Sequence, residues 1–249
     1  SRNCRNSTVN CLITNLTHKH KLPALSKESR LFSRKGAKTM TFTPIDMETW
    51  HRKPYFLHYH KDIPCTYSMT VSLDITVLKK TGVSLYPALL YLLTKNVNRY
   101  EQFRTAFDEK GNVGIYSNME PCYTIFHKEQ ETFSNLWTEY SEDFSTFLAR
   151  YKADLETYGN VLDMDAKPNT PPNTFPVSMV PWTTFTGFHL HLQKGYDYLL
   201  PIFTLGKAWE HHGHWKMPLA IQVHHGVCDG FHVSRFVESL QQDLHQFQP

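Results

Sequence analysis

The sequence feature that most constrains the fold is a pair of histidines directly after a mostly apolar run. Residues 217–223 lead into His224 and His225, and His225 stands four residues before Asp229, which is followed by Gly230. Such a run predicts a buried strand, and a histidine at the end of a rigid strand can act as an uncharged general base near neutral pH. The pattern therefore indicates removal of a proton from a hydroxyl group, so that its oxygen can attack an activated acyl group.

The motif leaves open which histidine acts and what the aspartate does. His224 and His225 point to opposite faces of a strand, so only one of them can enter a given pocket. We prefer His225 as the base, although the strand pattern does not decide between the two. Asp229 can lock the loop that carries the base, or it can be the N-cap of a closing helix, and both roles are compatible. Gly230 suits a backbone turn or close packing.

Size and charge exclude several classes of protein. A chain of 249 residues suits one large domain or two small ones. No stretch reaches the roughly 18 apolar residues that a membrane-spanning helix needs. Residues 1–39 hold nine basic side chains and one acidic side chain, whereas the remaining 210 residues hold 17 basic and 22 acidic ones. The body is mildly acidic, which argues against nucleic-acid binding.

The first 39 residues differ from the rest of the chain. Residues 1–39 are basic, rich in Ser, Thr and Asn, and lack a sustained apolar period. We predict that they are a disordered or non-native extension, with an organellar transit segment as the alternative. Residues 40–249 are then expected to form a single domain. The five cysteines show no Cys-x-x-Cys spacing, which favours a reducing compartment, the cytoplasm, and free thiols.

The hydrophobic patterns of the body alternate between helical and strand periods. They predict an α/β or α+β fold, with a mixed β-sheet and helices packed on it. Predicted helices cover 48–61, 85–100, 136–158 and 232–246. Predicted strands cover 66–77, 103–107, 114–116, 123–127, 176–180, 184–193, 200–209 and 215–224, and 166–176 is predicted to be a loop.

A second candidate residue is Ser178, which lies at a predicted strand end between Pro176 and Pro181. No Gly-x-Ser-x-Gly pattern surrounds Ser178, so a nucleophilic serine is not expected. A hydroxyl that donates a hydrogen bond to a developing oxyanion suits this position better. The His211, His212 and His214 cluster has no carboxylate or cysteine at ligand spacing, so we predict no metal site.

These residues together resemble a known family, the chloramphenicol acetyltransferases of the classical trimeric type. The His-His-x-x-x-Asp-Gly motif alone indicates only the wider group of CoA-dependent acyltransferases and condensation domains. Several further motifs occur in the order of the family, over about residues 40–244. They are Trp50-His51-Arg52-Lys53, Pro64-Cys65-Thr66-Tyr67, Val177-Ser178, Pro181-Trp182, Phe203-Thr204-Leu205-Gly206-Lys207, and Pro218 to Val223.

The resemblance implies a fold, a reaction and an assembly. It implies a two-layer sandwich and a homotrimer with active sites between subunits. His225 would take the proton from the 3-hydroxyl of chloramphenicol, and the oxygen would attack acetyl-CoA directly in a ternary complex. Ser178 would hydrogen-bond the tetrahedral intermediate, and Asp229 would pair with Arg52 to hold the loop. Acetyl-CoA is then a co-substrate, with no permanently bound cofactor and no metal.

The resemblance also implies which side chains contact the two substrates. Tyr59, Cys65, Tyr67 and Leu190 correspond to contacts of chloramphenicol, and Thr204 to a threonine that lines the same site through water. Trp182 and Lys207 correspond to positions near the CoA channel. Gly226 is a departure, because alanine is common there.

Three alternatives stay open. The chain can be an acyltransferase of this fold with another hydroxyl acceptor. It can resemble the catalytic core of dihydrolipoyl acyltransferases, although no lipoyl domain or flexible linker accompanies it. It can also be a non-catalytic binder that sequesters an antibiotic, although sequestration needs no base, and His225, Asp229, Arg52 and Ser178 are all present.

Overall fold

The structure is a computed structural model that describes residues 40–192 and 197–249. The predicted extension, residues 1–39, lies outside the described residues. The strands are β1 (Phe42–Pro44), β2 (Thr66–Asp74), β3 (Thr105–Phe107), β4 (Val113–Tyr116), β5 (Glu120–His127), β6 (Thr132–Trp137), β7 (Thr174–Val180), β8 (Ile202–Gly206), β9 (Trp209–His211) and β10 (His214–His224). The helices are α1 (Lys53–Leu57), α2 (Thr76–Lys80), α3 (Leu85–Arg99), α4 (Phe144–Tyr158) and α5 (Gly230–His245).

The described strands form one large mixed sheet and one small sheet. The large sheet has seven strands in the order β2-β10-β8-β7-β5-β6, with β9 paired to the start of β10. Neighbours are antiparallel except that β7 pairs in parallel with both β5 and β8. The small sheet has the order β1-β4-β3. A sheet with both pairing types matches the mixed sheet predicted from the alternating pattern.

The helices cover one face of the large sheet. Phe203 of β8 stacks on Phe236 of α5 at a centroid distance of 5.4 Å, and Tyr123 of β5 meets Tyr151 of α4 at 5.3 Å. These rings belong to a continuous hydrophobic core in which α3 is buried along most of its length. Burial of aromatic and branched side chains is the main favourable term in folding such a layer. The predicted mixed sheet with helices packed on it is confirmed.

The first predicted helix, 48–61, is wrong at its start. Asp46 closes a separate turn by accepting hydrogen bonds from the Glu48 N–H at 3.0 Å and the Thr49 hydroxyl at 2.9 Å. Helix α1 begins only at Lys53, with Pro54 in its first turn, where a missing N–H costs nothing. It continues as a π-helical turn, His58–Asp62.

The predicted helix at 136–158 is also wrong in its first part. Residues 132–137 form β6, and α4 begins at Phe144. Asp143 is the N-cap, and its carboxylate accepts the backbone N–H of Thr146 at 2.7 Å. The aspartate marks the helix start, and the apolar period across the preceding residues belongs to the strand.

Two predicted strands do not form as expected. The described part of 184–193, up to residue 192, contains no strand. Its backbone donates instead to side chains of the sheet, from Phe188 to Thr70 Oγ1 at 3.3 Å and from Leu190 to the Gln222 carboxamide at 2.8 Å. The predicted strand 200–209 is divided into β8 and β9.

Strand β2 ends earlier than predicted, because the Asp74 carboxylate accepts the N–H of Thr76 at 3.0 Å and α2 begins there. Within the described ranges no helix is both long and apolar enough to cross a bilayer.

Candidate active site

The structure distinguishes the two adjacent histidines. His224 is the last residue of β10 and is 1% exposed. His225 follows in a turn, and 30% of its side chain is exposed. Its backbone N–H donates to the carbonyl of Cys65 at 3.0 Å, so the turn is attached to the start of β2. His225 is therefore the histidine that a reactant can reach.

Arg52 holds this turn with four hydrogen bonds. Its two terminal nitrogens donate to the two carboxylate oxygens of Asp229, at 2.7 and 2.6 Å. The same guanidinium donates to the carbonyls of Gly226 at 2.7 Å and His225 at 3.0 Å. A planar guanidinium suits this bidentate arrangement, which an ammonium group cannot reproduce. The pairing of Arg52 with Asp229, implied by the resemblance, is present in the geometry.

Asp229 has both of the roles that the sequence left open. The hydrogen bonds from Arg52 hold the pKa of the Asp229 carboxyl below its ordinary value, although burial acts in the opposite direction. Asp229 is also the N-cap of α5, and its backbone N–H donates to Nδ1 of His232 at 3.0 Å. One residue thus connects the turn, the arginine and the start of the last helix.

Aromatic rings fix the orientation of the His225 side chain. The ring of Tyr59 stacks on the imidazole at a centroid distance of 3.9 Å and an interplanar angle of 6°. The ring of Tyr67 meets it edge-on at 5.2 Å. Tyr59 lies on the π-helical turn, a geometry that is frequent at functional sites. Tyr59, Cys65 and Tyr67, three of the predicted substrate contacts, therefore surround His225.

Two buried polar atoms in this cluster have no hydrogen-bond partner in the described residues. They are Nδ1 of His225 and the hydroxyl of Tyr67. His225 Nδ1 lies 3.4 Å from Asp229 Oδ1. Burial raises the pKa of the Tyr67 hydroxyl, and it raises the pKa of the nearby Cys228 thiol to about 12. The phenol and the thiol are therefore favoured in their protonated forms near neutral pH.

A second group of predicted residues gathers around Ser178 on β7. Ser178 Oγ lies 3.1 Å from Thr204 Oγ1, because Ser178 and Thr204 are paired across β7 and β8. Ser178 also lines a largely apolar cavity of about 480 Å³ together with Trp182 and Leu190. Trp182 is exposed and meets Phe126 edge-on at 4.6 Å. This cavity can accept an apolar ligand, and Ser178 is among the polar residues that line it.

The His225 group and the Ser178 group lie on opposite faces of the sheet. Strand pairing aligns Ser178 with Thr204 and Ala220, whereas Tyr67 is paired with Val223. Side chains of Ala220 and Val223 point to opposite faces, because they are an odd number of residues apart on β10. Ala220 also stands five residues before His225, roughly 16 Å along an extended strand. Within one chain, therefore, Ser178 and His225 cannot contact the same reacting atoms.

Lys207 belongs to neither group. It follows β8 with an exposed side chain, and its backbone N–H donates to the carbonyl of Thr183 at 2.8 Å. His232, whose Nδ1 accepts the N–H of Asp229, was not predicted from the sequence as a site residue. The sequence pattern that could have predicted this role of His232 is Asp-x-x-His at the start of a helix, where the third helical residue can cap the N-terminus.

No three His, Cys, Asp or Glu side chains in the described part of the chain are arranged to hold a metal ion.

The fold is shared with a solved chloramphenicol acetyltransferase. That structure superposes with a TM-score of 0.72 at 24% identity, over 82% of this chain and 100% of the other. The fold therefore defines the class as a chloramphenicol acetyltransferase-like α/β protein.

The sequence identifies the family more specifically than the fold does. The model of the chloramphenicol acetyltransferase family matches residues 40–241. A chloramphenicol acetyltransferase of Campylobacter coli is 60% identical over 207 residues, which cover 83% of this chain and 100% of the relative. One of Vibrio anguillarum is 56% identical over 209 residues, covering 84% and 97%. The chain belongs to the chloramphenicol acetyltransferase family.

Proposed function

We propose that this chain transfers the acetyl group of acetyl-CoA to the 3-hydroxyl of chloramphenicol and so inactivates the antibiotic. Family membership supports the two substrates. The observation that carries the residue assignment is the accessible His225 on a turn that Arg52 clamps. In the reaction the hydroxyl oxygen forms the new ester bond, the thioester C–S bond breaks, and the hydroxyl proton passes through His225 to the CoA sulfur.

His225 is the general base in this proposal. Its neutral imidazole takes the proton while the oxygen attacks the thioester directly, without an acyl-enzyme. The clamp by Arg52 and the stacked ring of Tyr59 keep the imidazole in one orientation. A base positioned in this way typically contributes about 10²–10⁴-fold to the rate. Asp229 acts through Arg52 and through the start of α5, and not on the substrate.

Ser178 stabilises the negative charge that develops on the thioester oxygen. Its hydroxyl lies 3.1 Å from that of Thr204 and lines the apolar cavity, so it can donate to an oxyanion placed there. Chloramphenicol would contact Tyr59, Cys65 and Tyr67 on the side of His225, and Leu190 and Thr204 on the side of Ser178. Trp182 and, at a greater distance, Lys207 would face the CoA channel.

A complete site in this proposal forms between two chains of a homotrimer. His225 and Ser178 lie on opposite faces of the sheet in one chain, so each needs the other residue from a neighbour. A head-to-tail contact that joins two different surfaces closes into a ring when the rotation allows it, and a trimer is such a ring. The reaction uses no metal and no permanently bound cofactor. We place it in the cytoplasm, where the sparse, odd set of cysteines stays reduced.

The test is release of free CoA thiol from acetyl-CoA, with and without chloramphenicol. We expect chloramphenicol-dependent release by the wild type. His225→Ala should lower kcat/KM by at least about 10²–10⁴-fold, and Ser178→Ala by about 10²–10³-fold. His211→Ala, which changes an exposed histidine at the end of β9, is the matched control and should keep full activity.

Each alternative has its own result in this experiment. Thiol release that depends on another hydroxyl compound, and not on chloramphenicol, would indicate an acyltransferase with a different acceptor. Formation of an acetyl thioester on dihydrolipoamide, a dithiol, would instead indicate a dihydrolipoyl acyltransferase. Calorimetric binding of chloramphenicol by a folded wild type that releases no thiol would indicate a sequestering binder.

A further inference from the structure

The turn that carries His225 is bounded by two imidazoles, and each accepts a backbone hydrogen bond. At the start of the turn, Nδ1 of His224 accepts the N–H of Gly226 at 3.0 Å. At its end, Nδ1 of His232 accepts the N–H of Asp229 at 3.0 Å. An amide N–H can only donate, so Nδ1 of both rings must carry a lone pair and each ring must be the neutral Nε2–H tautomer. The position of the turn therefore depends on uncharged histidines on both sides.

His232 is the imidazole whose protonation state bears directly on the clamp. Its side chain is 16% exposed, and its Nδ1 lies 3.8 Å from Asp229 Oδ2. Burial and, after it, the positive charge of Arg52 lower the pKa of His232. The neutral form accordingly predominates near pH 7. The charged and titratable groups around it are Asp229 and Arg235 on its own helix, and Asp46, His51, Arg52 and Tyr55, which line the same groove.

A proton on Nδ1 would reverse the role of this atom. The N–H of Asp229 would lose its acceptor, and two donors would face each other at the present 3.0 Å. An acceptor close to this nitrogen is Asp229 Oδ2 at 3.8 Å, which now accepts from Arg52 at 2.7 Å. Protonated His232 would therefore compete with Arg52 for the same carboxylate and weaken the hold of Arg52 on the turn.

We propose that His232 is a positioning residue of the acetyl transfer, which in its neutral form keeps Asp229 directed at Arg52 and so keeps His225 in place. This inference rests on the proposed role of His225 as the base. Protonation of His232 releases the turn, so the acid side of the pH profile contains the loss of two functions. One is the protonation of the base itself, and the other is the release of the turn that holds it.

The variants that test this role are His232→Asn and His232→Leu. The Asn carboxamide oxygen can accept the N–H of Asp229 and does not titrate, whereas Leu removes the acceptor. At pH 8 we expect kcat of His232→Leu to fall about tenfold, the value of one lost hydrogen bond near 1.4 kcal/mol, with KM for acetyl-CoA within about twofold of wild type. His232→Asn should restore kcat to within about fivefold of wild type.

The pH profile supplies the readout that a purely structural role would not change. The logarithm of kcat/KM of the wild type should fall on the acid side with a slope above 1, and that of His232→Asn with a slope of 1. His245→Asn, at the exposed far end of the same helix, is the matched control and should keep the wild-type profile. Wild-type kcat in His232→Leu, equal kcat in the Asn and Leu variants, or a wild-type slope of 1 would overturn the proposal.

A measurement without turnover separates this inference from the proposed function. In uniformly ¹⁵N-labelled protein, the ring nitrogen shifts should identify His232 as the Nε2–H tautomer at pH 8, and the Asp229 amide shift should move with the titration of His232. Either an Nδ1–H tautomer or an Asp229 amide that is indifferent to this titration would refute the inference. Absence of chloramphenicol-dependent thiol release would refute the proposed function alone.

Discussion

At the scale of single residues, the geometry around His225 depends on how one guanidinium distributes its donors. Arg52 donates two hydrogen bonds to the Asp229 carboxylate and two to carbonyls of the turn. It therefore holds the backbone on both sides of His225. The carbonyls carry only partial negative charge and attract Arg52 less strongly than a carboxylate does. Asp229 supplies the charge that draws the guanidinium into place, and the carbonyls then complete its coordination.

Replacing Arg52 by lysine should show that geometry, and not charge, is required. An ammonium group cannot bind both carboxylate oxygens and two carbonyls, so we expect Arg52→Lys to lower kcat/KM by about ten- to a hundredfold. Because Asp229 is 38% exposed, water partly replaces the lost bonds, and the free energy of unfolding should fall by only about 1–2 kcal/mol. The measurements are thiol release and chemical denaturation.

Lys53 is the control for that substitution. Its ammonium pairs with Glu48, whose side chain is 85% exposed, so Lys53→Arg should change the free energy of unfolding by less than about 0.5 kcal/mol. Full activity in Arg52→Lys would contradict the role given to the guanidinium.

At the scale of elements, one carboxylate joins helices α3 and α5. Asp243 of α5 accepts hydrogen bonds from Lys95 at 2.8 Å and from Asn96 at 2.8 Å, and it pairs with Arg99 at 3.2 Å. Only 11% of the Asp243 side chain is exposed. Burial acts to raise its pKa, but the hydrogen bonds from Lys95 and Asn96 outweigh burial and hold the pKa below its ordinary value.

This contact should make the stability of the fold dependent on acid. A carboxyl whose pKa is lower in the folded than in the unfolded chain stabilises the fold fully above the unfolded value, near pH 4, and the contribution is lost as pH falls through the folded value. We therefore expect Asp243→Asn to lower the free energy of unfolding by about 1–3 kcal/mol at pH 7. The difference from wild type should shrink towards pH 2–3 in urea titrations.

A surface carboxylate separates this effect from a general effect of charge. Glu48→Gln removes an exposed partner of Lys53 and should leave stability within about 0.5 kcal/mol of wild type at both pH values. A difference between Asp243→Asn and wild type that stays constant with pH would show that the aspartate is not the titrating group.

At the scale of the whole molecule, the division of the site between chains can be tested by complementation. Each His225→Ala chain retains an intact Ser178, and each Ser178→Ala chain an intact His225. Mixed trimers isolated from a refolded equal mixture should recover about a third of the wild-type activity, because each trimer that holds both kinds of chain has one site in three that combines intact His225 of one chain with intact Ser178 of its neighbour. The measurement is thiol release after isolation of mixed oligomers by two affinity tags.

The control replaces the Ser178→Ala chain by the double variant His225→Ala/Ser178→Ala. That mixture contains no site with both intact residues, so its activity should stay at the level of the single variants. Mixed oligomers of the first kind with no recovery would contradict a site shared between chains.

Most of the fold and the candidate site could be predicted from local patterns. The apolar run before the histidines predicted β10, and the apolar period of residues 85–100 predicted α3 within one residue. Three of the errors lie where a polar side chain ends or begins an element. Asp46, Asp74 and Asp143 each accept a nearby backbone N–H. A hydrophobic pattern carries no information about such side-chain-to-backbone hydrogen bonds. The predicted helices and strands therefore ran past the residues at which the real ones begin or end.

Tertiary structure alone decided which residues meet. Spacing along the chain determined that a histidine would stand at the end of β10 with an aspartate four residues later, because the alternation of a buried strand is a local property. The spacing did not determine that His224 is buried and His225 accessible. It also did not determine that Arg52 binds Asp229, which is 177 residues away in sequence, or that Ser178 lies on the face of the sheet opposite to His225. Those outcomes depend on strand order and register, which join segments distant in sequence and are set by packing of the whole core.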